Sequence, residues 1–343
     1  MKKYTVLIFI LTSFVSCSSR GVDANFQIGQ KSITYVDKSR DRPLITEIWY
    51  PTLDTLKENN TSEKQREPFV SIETIPDASM PNQKFPLLMV SHGTGGNRFS
   101  LTWFVEKMVK EGYIVITVDH YGNSSFNKIP REFLKWWERA IDIQFLLTQV
   151  INDSKIGAKI DISRIGGVGF SLGGYTNIAL AGGHVDRYSD TASDSGLPPE
   201  FPETDEVINF STDSLIIASY NKYKDRVKDE RIKAFFTMAP AVGFGFYSNE
   251  QTKEITAPVF IVAGKGDQNT PIQNNAQNYH QLITTSELHL FDENVGHYVF
   301  LNEGTEFGKK ILPQLTVDHP NVNRKEIHEK TLEMAIDFFN KNL

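Results

Sequence analysis

The strongest constraint on the fold of this chain is the pentapeptide Gly-Phe-Ser-Leu-Gly at residues 169–173. Residues 164–168 before it predict a buried strand, and the small residues 175–181 after it predict a helix. So sharp a turn needs glycine two residues before and two residues after the serine, because larger side chains would collide. The new helix also directs free N–H groups at the serine. The pattern predicts a nucleophile elbow with Ser171 as the nucleophile, with an ordinary glycine-rich turn as the alternative.

A serine nucleophile requires a histidine that takes its proton and a carboxylate that orients this histidine. Two later apolar segments, 258–263 and 287–291, predict strands, and a polar loop follows each of them. Asp267 lies in the first loop and His297 in the second. We therefore expect Asp267 to be the acid and His297 the base. Asp292 and Glu293 are alternatives to Asp267, because they are close to His297 in the sequence.

The chain has eight histidines, and most of them have simpler explanations than catalysis. His289 lies within a predicted strand. Polar surroundings predict surface positions for four others: His184, His280, His319 and His328. His297 differs because it follows the final strand and a glycine that lets its loop turn back toward the nucleophile.

Acyl transfer also needs N–H donors for the oxyanion. Leu172 supplies the first, since its amide follows the nucleophile directly. The second is expected after the strand at 85–91, in the segment His-Gly-Thr-Gly-Gly-Asn at 92–97, with the amide of Thr94 as donor. A phosphate-binding loop is the weaker alternative here, because the segment lacks the Lys-Ser/Thr ending and the full glycine spacing of such loops.

Five segments together carry a resemblance to a known superfamily: 42–51, 91–96, 118–123, 169–175 and 239–241. From about residue 26 to the C-terminus the chain resembles the α/β-hydrolases, and more narrowly the dienelactone-hydrolase-like and platelet-activating-factor-acetylhydrolase-like serine esterases. The resemblance implies a mostly parallel central sheet flanked by helices. It also implies a triad of Ser171, Asp267 and His297, with oxyanion donors at Thr94 and Leu172.

The chain departs from these esterases at two points. Dienelactone hydrolases use a cysteine nucleophile, whereas this chain has Ser171, so the dienelactone substrate does not carry over. In the acetylhydrolases the acid follows an earlier strand, and the corresponding residues 241–247 contain no carboxylate. This difference favours Asp267 as the acid and argues against a phospholipid substrate.

Length and composition fit one large α/β domain over residues 26–343, since 343 residues with 40% hydrophobic content can bury a substantial core. Strands and helices alternate as in a mostly parallel sheet. The net charge of −6 and the absence of basic runs argue against nucleic acid as a partner. No His/Cys cluster has metal-ligand spacing, and the expected chemistry requires no cofactor.

The N-terminus resembles a bacterial lipoprotein-type export signal over residues 1–17, followed by a tether at 18–25. Lys2 and Lys3 precede an apolar segment at 6–15 that is short for a membrane span. The single cysteine, Cys17, falls at the cleavage position, where it would be lipidated. We expect export to the bacterial cell envelope, with a lipid anchor at the periplasmic or outer-membrane surface as the only membrane contact. Ordinary secretory cleavage is the alternative.

Four other segments carry predictions of their own. The sheet pattern breaks at 184–231, where an insertion can act as a lid or a pocket wall, with a plain surface excursion as the alternative. The charged stretch 52–84 predicts an exposed excursion, and the aromatic stripe of the helix at 132–150 is expected in the core. A strand-end group at 119–121 (Asp-His-Tyr) either lines the pocket or anchors its loop.

These residues predict a serine hydrolase that cleaves a small-molecule carboxylic ester through an acyl-enzyme, with water as acyl acceptor. A serine peptidase or amidase would use the same triad. A catalytically silent, surface-anchored binding protein is a third reading, and the presence of all three triad residues argues against it.

Overall fold

The computed structural model describes residues 25–55, 67–187, 198 and 200–343. The predicted export signal, its Cys17 and all of the tether except Asn25 lie outside the described residues. So does the middle of the 184–231 insertion, at 188–197 and 199.

Nine strands of the described residues form one mixed sheet. In chain order the strands are β1 Gln27–Asp37, β2 Arg42–Thr52, β3 Ile75–Pro76, β4 Phe85–Ser91, β5 Ile114–Val118, β8 Ile160–Phe170, β9 Ala234–Met238, β10 Val259–Gly264 and β11 Ser286–Phe291, while β6 Asn123–Ser124 and β7 Asn127–Lys128 form a separate hairpin. Across the sheet the order is β11-β10-β9-β8-β4-β5-β2-β1-β3. Strands β11 through β5 run parallel, and β2 pairs antiparallel with β5 and with β1.

Helices cover both faces of this sheet. They are α1 Thr102–Lys110, α2 Pro130–Phe133, α3 Glu138–Asn152, α4 Leu172–Ala181, α5 Ser214–Tyr223, α6 Ala276–Leu282, α7 Glu306–Ile311, α8 Pro313–Thr316 and α9 Arg324–Asn342. Alternate side chains of β4 enter two separate hydrophobic cores, one with α3 and α4 and the other with α1 and α9. Strands β4 and β5 are buried on both faces, and this explains why each has a nearly continuous apolar sequence. Among the described helices none is both long and apolar enough to cross a bilayer.

This architecture confirms the predicted fold class, a mostly parallel sheet flanked by helices. All the parallel strands end at the same edge, so the loops after β4, β8, β10 and β11 meet there. Those four loops carry Thr94, Ser171, Asp267 and His297. The topology therefore gathers the candidate site from segments that are far apart in the chain.

Three expectations from the sequence were wrong in detail. The predicted helix at 132–150 is two helices, α2 and α3, separated by a turn that contains the two tryptophans. Trp137 is buried in the core as expected, but Trp136 is only half buried. His328, expected at the surface, is 4% exposed. Its partners are distant in sequence: it donates to the Val299 carbonyl at 2.7 Å and stacks on Trp103.

Burial lowers the pKa of His328 to about 4, and the nearby charge of Arg324 acts in the same direction. The unfolded chain binds a proton at this histidine below pH 6.5, whereas the folded protein does not until about pH 4. Stability that depends on the neutral ring is therefore present above pH 6.5 and is lost as the pH falls toward 4.

We predict that His328→Phe, which keeps a ring against Trp103, removes this pH dependence. Between pH 7 and pH 5 the wild-type free energy of unfolding should fall by about 2 kcal/mol more than that of the variant. Urea unfolding at the two pH values measures the difference. The exposed His319→Gln is the control and should behave as wild type. If the free energy of unfolding falls equally in wild type and in His328→Phe between pH 7 and pH 5, burial of the neutral His328 ring is not the cause of the pH dependence.

Candidate active site

Ser171 lies at the turn between β8 and α4 in a strained backbone conformation. Its φ and ψ are 55° and −117°, a backbone conformation that residues other than glycine rarely adopt. Hydrogen bonds to the end of β9 hold this turn: the Ser171 amide donates to the Met238 carbonyl at 2.9 Å, and its carbonyl accepts from the Ala241 amide at 3.0 Å. The neighbouring strand therefore fixes the direction of the serine side chain.

The two elbow glycines are required by close backbone contacts. A Cβ at Gly169 would lie 2.0 Å from the carbonyl oxygen of Gly173. A Cβ at Gly173 would lie 1.9 Å from the carbonyl oxygen of Ser91, at the end of β4. Both distances are far below van der Waals contact, so the spacing seen in the sequence has a direct steric cause.

His297 connects the serine to a carboxylate. Its Nε2 lies 3.0 Å from the Ser171 Oγ, and its Nδ1 lies 2.7 Å from Oδ2 of Asp267. With Nδ1–H donating to the carboxylate, Nε2 is free to accept the serine proton. All three side chains are buried, Ser171 at 7%, His297 at 6% and Asp267 at 4% exposure. The structure thus brings together the three residues expected to form the triad.

The carboxylate of Asp267 is held by its own loop. Its Oδ1 accepts from the amides of Asn269 and Thr270, at 2.9 and 2.8 Å, and its Oδ2 accepts from the Thr270 hydroxyl at 2.7 Å. Burial by itself would raise the pKa of Asp267, but the hydrogen bonds from His297 and Thr270 outweigh it and lower the pKa below its usual value. Asp267 is therefore the ionised partner that His297 needs.

The alternative acids do not reach His297. Asp292 and Glu293 are exposed on the loop after β11, and Glu293 pairs with Lys265 at 3.0 Å. Sequence reasoning missed Thr270, whose hydroxyl contacts Asp267 and lies 3.2 Å from the His297 Nδ1. The sequence did contain a weak signal for this role. A threonine three residues after an aspartate that follows a strand is compatible with an Asx-type loop, in which the aspartate accepts hydrogen bonds from the residues after it.

The two expected oxyanion donors line the same cavity as the serine. Leu172 is the first residue of α4, so its N–H takes no part in the hydrogen bonds of that helix. Thr94 lies in the loop after β4, between Gly93 and Gly95, where φ of Gly95 is 60°. Both residues therefore lie at the wall of the cavity into which Ser171 opens.

The serine opens into a cavity of about 1200 Å³. Its lining is more apolar than polar and includes the aromatic side chains of Trp49, Phe69, Phe99, Phe126, Trp136 and Phe244. No lysine or arginine of the described residues lines it, and its charged groups there are Glu67 and Glu200. A cavity of this kind accommodates a bulky, apolar, uncharged molecule.

Two segments outside the central sheet form cavity walls. Part of the 184–231 insertion does so through Pro198 and Glu200, and Glu200 accepts a hydrogen bond at 2.8 Å from Tyr298, the neighbour of His297. The 52–84 stretch, expected to be an exposed excursion, contributes Phe69 and Ile72. It is held there by pairing of residue 69 with residue 304. Long-range pairing of this kind leaves no trace in local composition.

The strand-end group at 119–121 anchors its loop and does not line the cavity. Asp119 is buried and accepts from the Arg98 amide at 2.7 Å. His120 is 1% exposed and lies 2.9 Å from the Ser91 hydroxyl. Tyr121 packs under the guanidinium of Arg42 on another surface. Among the described residues, no three His, Cys, Asp or Glu side chains are grouped so as to hold a metal ion.

The geometry provides what nucleophilic acyl transfer needs: a serine within reach of a base, a base oriented by a buried carboxylate, and the backbones of Leu172 and Thr94 in the same cavity. Comparisons with known proteins agree with a hydrolase of this fold. Residues 98–305 match the prolyl oligopeptidase family. In structure the chain is similar to a ferulic acid esterase from Streptomyces cinnamoneus, with a TM-score of 0.59 and 18% identity over 92% of this chain and 90% of that one.

Curated relatives match over shorter segments. Dipeptidyl-peptidase 5 of Porphyromonas gingivalis is 29% identical over 120 residues, which cover 34% of this chain and 17% of that protein. Cutinase 2 of Thermobifida cellulosilytica is 29% identical over 102 residues, covering 29% of this chain and 36% of that one. The chain thus matches less than two fifths of the length of either relative. Since the family match spans more than half of the chain and includes Ser171, Asp267 and His297, the protein belongs to the prolyl oligopeptidase family of α/β-hydrolases.

Proposed function

We propose that this protein is a serine hydrolase that cleaves carboxylic esters, with Ser171 as nucleophile, His297 as general base and Asp267 as the orienting acid. The observation that carries the proposal is the continuous hydrogen-bonded series Ser171–His297–Asp267, with distances of 3.0 and 2.7 Å. The aromatic cavity around the serine supports an organic substrate over a phosphorylated or highly charged one.

In the proposed reaction, His297 takes the Ser171 proton as the serine oxygen attacks the ester carbonyl carbon. The amides of Thr94 and Leu172 donate to the resulting oxyanion. His297 then gives the proton to the leaving alcohol as the carbon–oxygen bond breaks, which leaves an acyl group on Ser171. Water, deprotonated by the same histidine, releases the acid and restores the serine.

We infer that the substrates are bulky apolar esters without an anionic group near the reacting carbonyl. Glu200 and Glu67 are the charged side chains on the described cavity wall, and no cation there compensates a substrate carboxylate. Burying an unpaired carboxylate against them would be unfavourable. This agrees with cutinase and ferulic acid esterase among the similar proteins, whose names describe ester hydrolysis.

Amide hydrolysis is the second candidate, and the family match favours it, because the family is named for a peptidase and one relative is a dipeptidyl peptidase. Matched substrates decide between the two: a p-nitrophenyl ester and a p-nitroanilide with the same acyl group. The esterase proposal expects turnover of the ester to exceed that of the anilide well beyond their difference in intrinsic reactivity.

Three finer expectations remain predictions: the similarity to dienelactone-hydrolase-like and acetylhydrolase-like esterases, the export signal, and the lipid anchor at Cys17. Mass spectrometry of the N-terminal peptide from the envelope fraction would identify a lipidated cysteine directly.

We predict hydrolysis of p-nitrophenyl esters in a series from acetate to long acyl chains, with a profile that reports the size of the cavity. Ser171→Ala, His297→Ala and Asp267→Ala should each lower kcat by at least about a thousandfold, because each removes one member of the triad. The matched control is Asp292→Ala, which removes the exposed rival carboxylate and should leave kcat unchanged. Ester hydrolysis by Ser171→Ala at the wild-type rate would refute the proposed mechanism.

We also predict that Thr270→Val lowers kcat by about three- to tenfold. The variant keeps the shape of the side chain but removes the hydroxyl that donates to Asp267, a hydrogen bond worth about 1 kcal/mol. Thr270→Ser retains the hydroxyl and should stay close to wild type. Steady-state kinetics on one ester measure the effect. Equal kcat for the valine and serine variants would show that the hydroxyl has no part in orienting the acid.

A further inference from the structure

His92 is a buried histidine beside the candidate site that the proposed reaction does not use. It follows β4 directly, is 2% exposed and does not line the cavity. Its Nδ1 lies 2.6 Å from the carbonyl oxygen of Gly93, the next residue. The function of this contact follows from which ring nitrogen carries the hydrogen.

The surroundings of the ring fix its tautomer. The backbone amide of His120 lies 3.3 Å from Nε2 of His92, and a backbone amide can only donate. Nε2 therefore accepts and carries no hydrogen in the neutral ring. The hydrogen is on Nδ1, which donates to the Gly93 carbonyl.

This carbonyl belongs to the peptide group that joins Gly93 to Thr94, and the N–H of the same group is the proposed second oxyanion donor. In a trans peptide the C=O and the N–H point in opposite directions. The structure has no cis peptide among its described residues. The Gly93 carbonyl also accepts from the Gly96 amide at 3.2 Å, so the turn of the loop shares in holding it. With this carbonyl directed at the buried His92 ring, the N–H of Thr94 points to the opposite side of the peptide, and Thr94 lines the cavity. A hydrogen bond to the carbonyl also polarises the amide and strengthens it as a donor.

We propose that His92 is a positioning residue that orients the Gly93–Thr94 peptide so that the Thr94 amide can bind the oxyanion. The inference rests on the proposed ester hydrolysis and deepens it by assigning how the second oxyanion donor is held. His92 touches no substrate and acts only through the peptide that follows it.

A buried cation supports the ring. Nη2 of Arg139, on α3, lies 3.4 Å from Nδ1 of His92, but both nitrogens are donors, so the 2.6 Å contact with the Gly93 carbonyl decides the direction of the Nδ1 hydrogen. The Arg139 guanidinium donates instead to the backbone carbonyl of His92. Its Nε and Nη1 have no hydrogen-bond partner, and no carboxylate of the described residues pairs with it. Burial lowers the pKa of His92 well below its usual value, and the positive charge of Arg139 is the second cause of this shift. The ring therefore stays neutral, as the Nδ1–H arrangement requires.

A second layer of buried side chains holds His120. Its Nδ1 lies 3.0 Å from Asp142, and its Nε2 lies 2.9 Å from the hydroxyl of Ser91. Asp142 in turn pairs with Arg40 at 2.8 Å and Arg42 at 3.3 Å. This series repeats the residue types of the candidate triad, but its serine is only 1% exposed. Burial, then the charge of Arg139, lowers the pKa of His120 to about 4. In this proposal, the series Ser91–His120–Asp142 holds the His120 side chain and thereby keeps the His120 backbone amide against the ring of His92.

The test compares two amide side chains at position 92. In His92→Asn the amide nitrogen takes the place of Nδ1 and can still donate to the Gly93 carbonyl. His92→Gln has the same chemistry, but its amide lies one carbon further out and misses that carbonyl. Both variants are polar, so a difference between them reports the position of the donor rather than loss of burial.

We expect His92→Gln to lower kcat by about 10- to 100-fold, somewhat less than the loss of a whole oxyanion donor, with KM within about threefold of wild type. The affinity for a trifluoromethyl ketone, which forms a tetrahedral oxyanion on the serine, should fall by the same factor. His92→Asn should retain most of both. Asn177→Ala is the control: it removes a buried side-chain bond, to the Phe236 carbonyl at 3.1 Å, outside the cavity, and should lower only stability.

Equal kcat and equal ketone affinity in the Asn and Gln variants would overturn the proposal. Backbone amide hydrogen exchange of residues 93–97 gives a second readout on the resting protein. Faster exchange in His92→Gln than in His92→Asn supports the positioning role, and identical exchange contradicts it. This readout needs no turnover, so failure of the His92 proposal is distinguishable from failure of ester hydrolysis, which would appear as an inactive wild type.

Discussion

The candidate site depends on one steric constraint, the close approach of the elbow backbone to its own helix and to β4. Gly169 faces the carbonyl of Gly173, and Gly173 faces the carbonyl of Ser91, each with no room for a Cβ. Ser171, between these two glycines, has a φ of 55° and follows the end of β8. A strained residue of this kind costs on the order of 1–3 kcal/mol, which the surrounding packing must offset. The strain is the physical basis for reading the turn as functional.

The same contact links the nucleophile to the oxyanion loop. Ser91, whose carbonyl limits Gly173, is followed by His92 and by the segment that carries Thr94. The elbow and the second oxyanion donor are thus set by the adjacent ends of β8 and β4, which pair from residue 85 to residue 91. A change at either strand end would displace both the nucleophile and the donor.

Much of the fold and the three triad residues could be predicted from the sequence, because each depends on local patterns. Continuous apolar runs mark the buried parallel strands, and the polar loops after two of them hold Asp267 and His297. The 188–197 segment and Cys17 lie outside the described residues, so the lid and the anchor stay predictions.

What could not be predicted depends on contacts between distant residues. His92 contacts Arg139, which is 47 positions away in the sequence, and the residues around either of them do not predict this contact. His328 has polar neighbours in sequence, yet its ring is buried against Trp103. Phe69 joins the cavity wall only because its segment pairs with residue 304. In each case the chemistry of the residue was visible, but its partner was not.

The most direct test of the central claim is to trap the acyl-enzyme. The protein is mixed with an activated ester, quenched with acid during the first turnover and digested, and the peptides are identified by mass spectrometry. The account predicts an acyl group on the peptide that contains Ser171, and none when His297→Ala is treated in the same way. Ester turnover with no adduct, or with the acyl group on another residue, would contradict it.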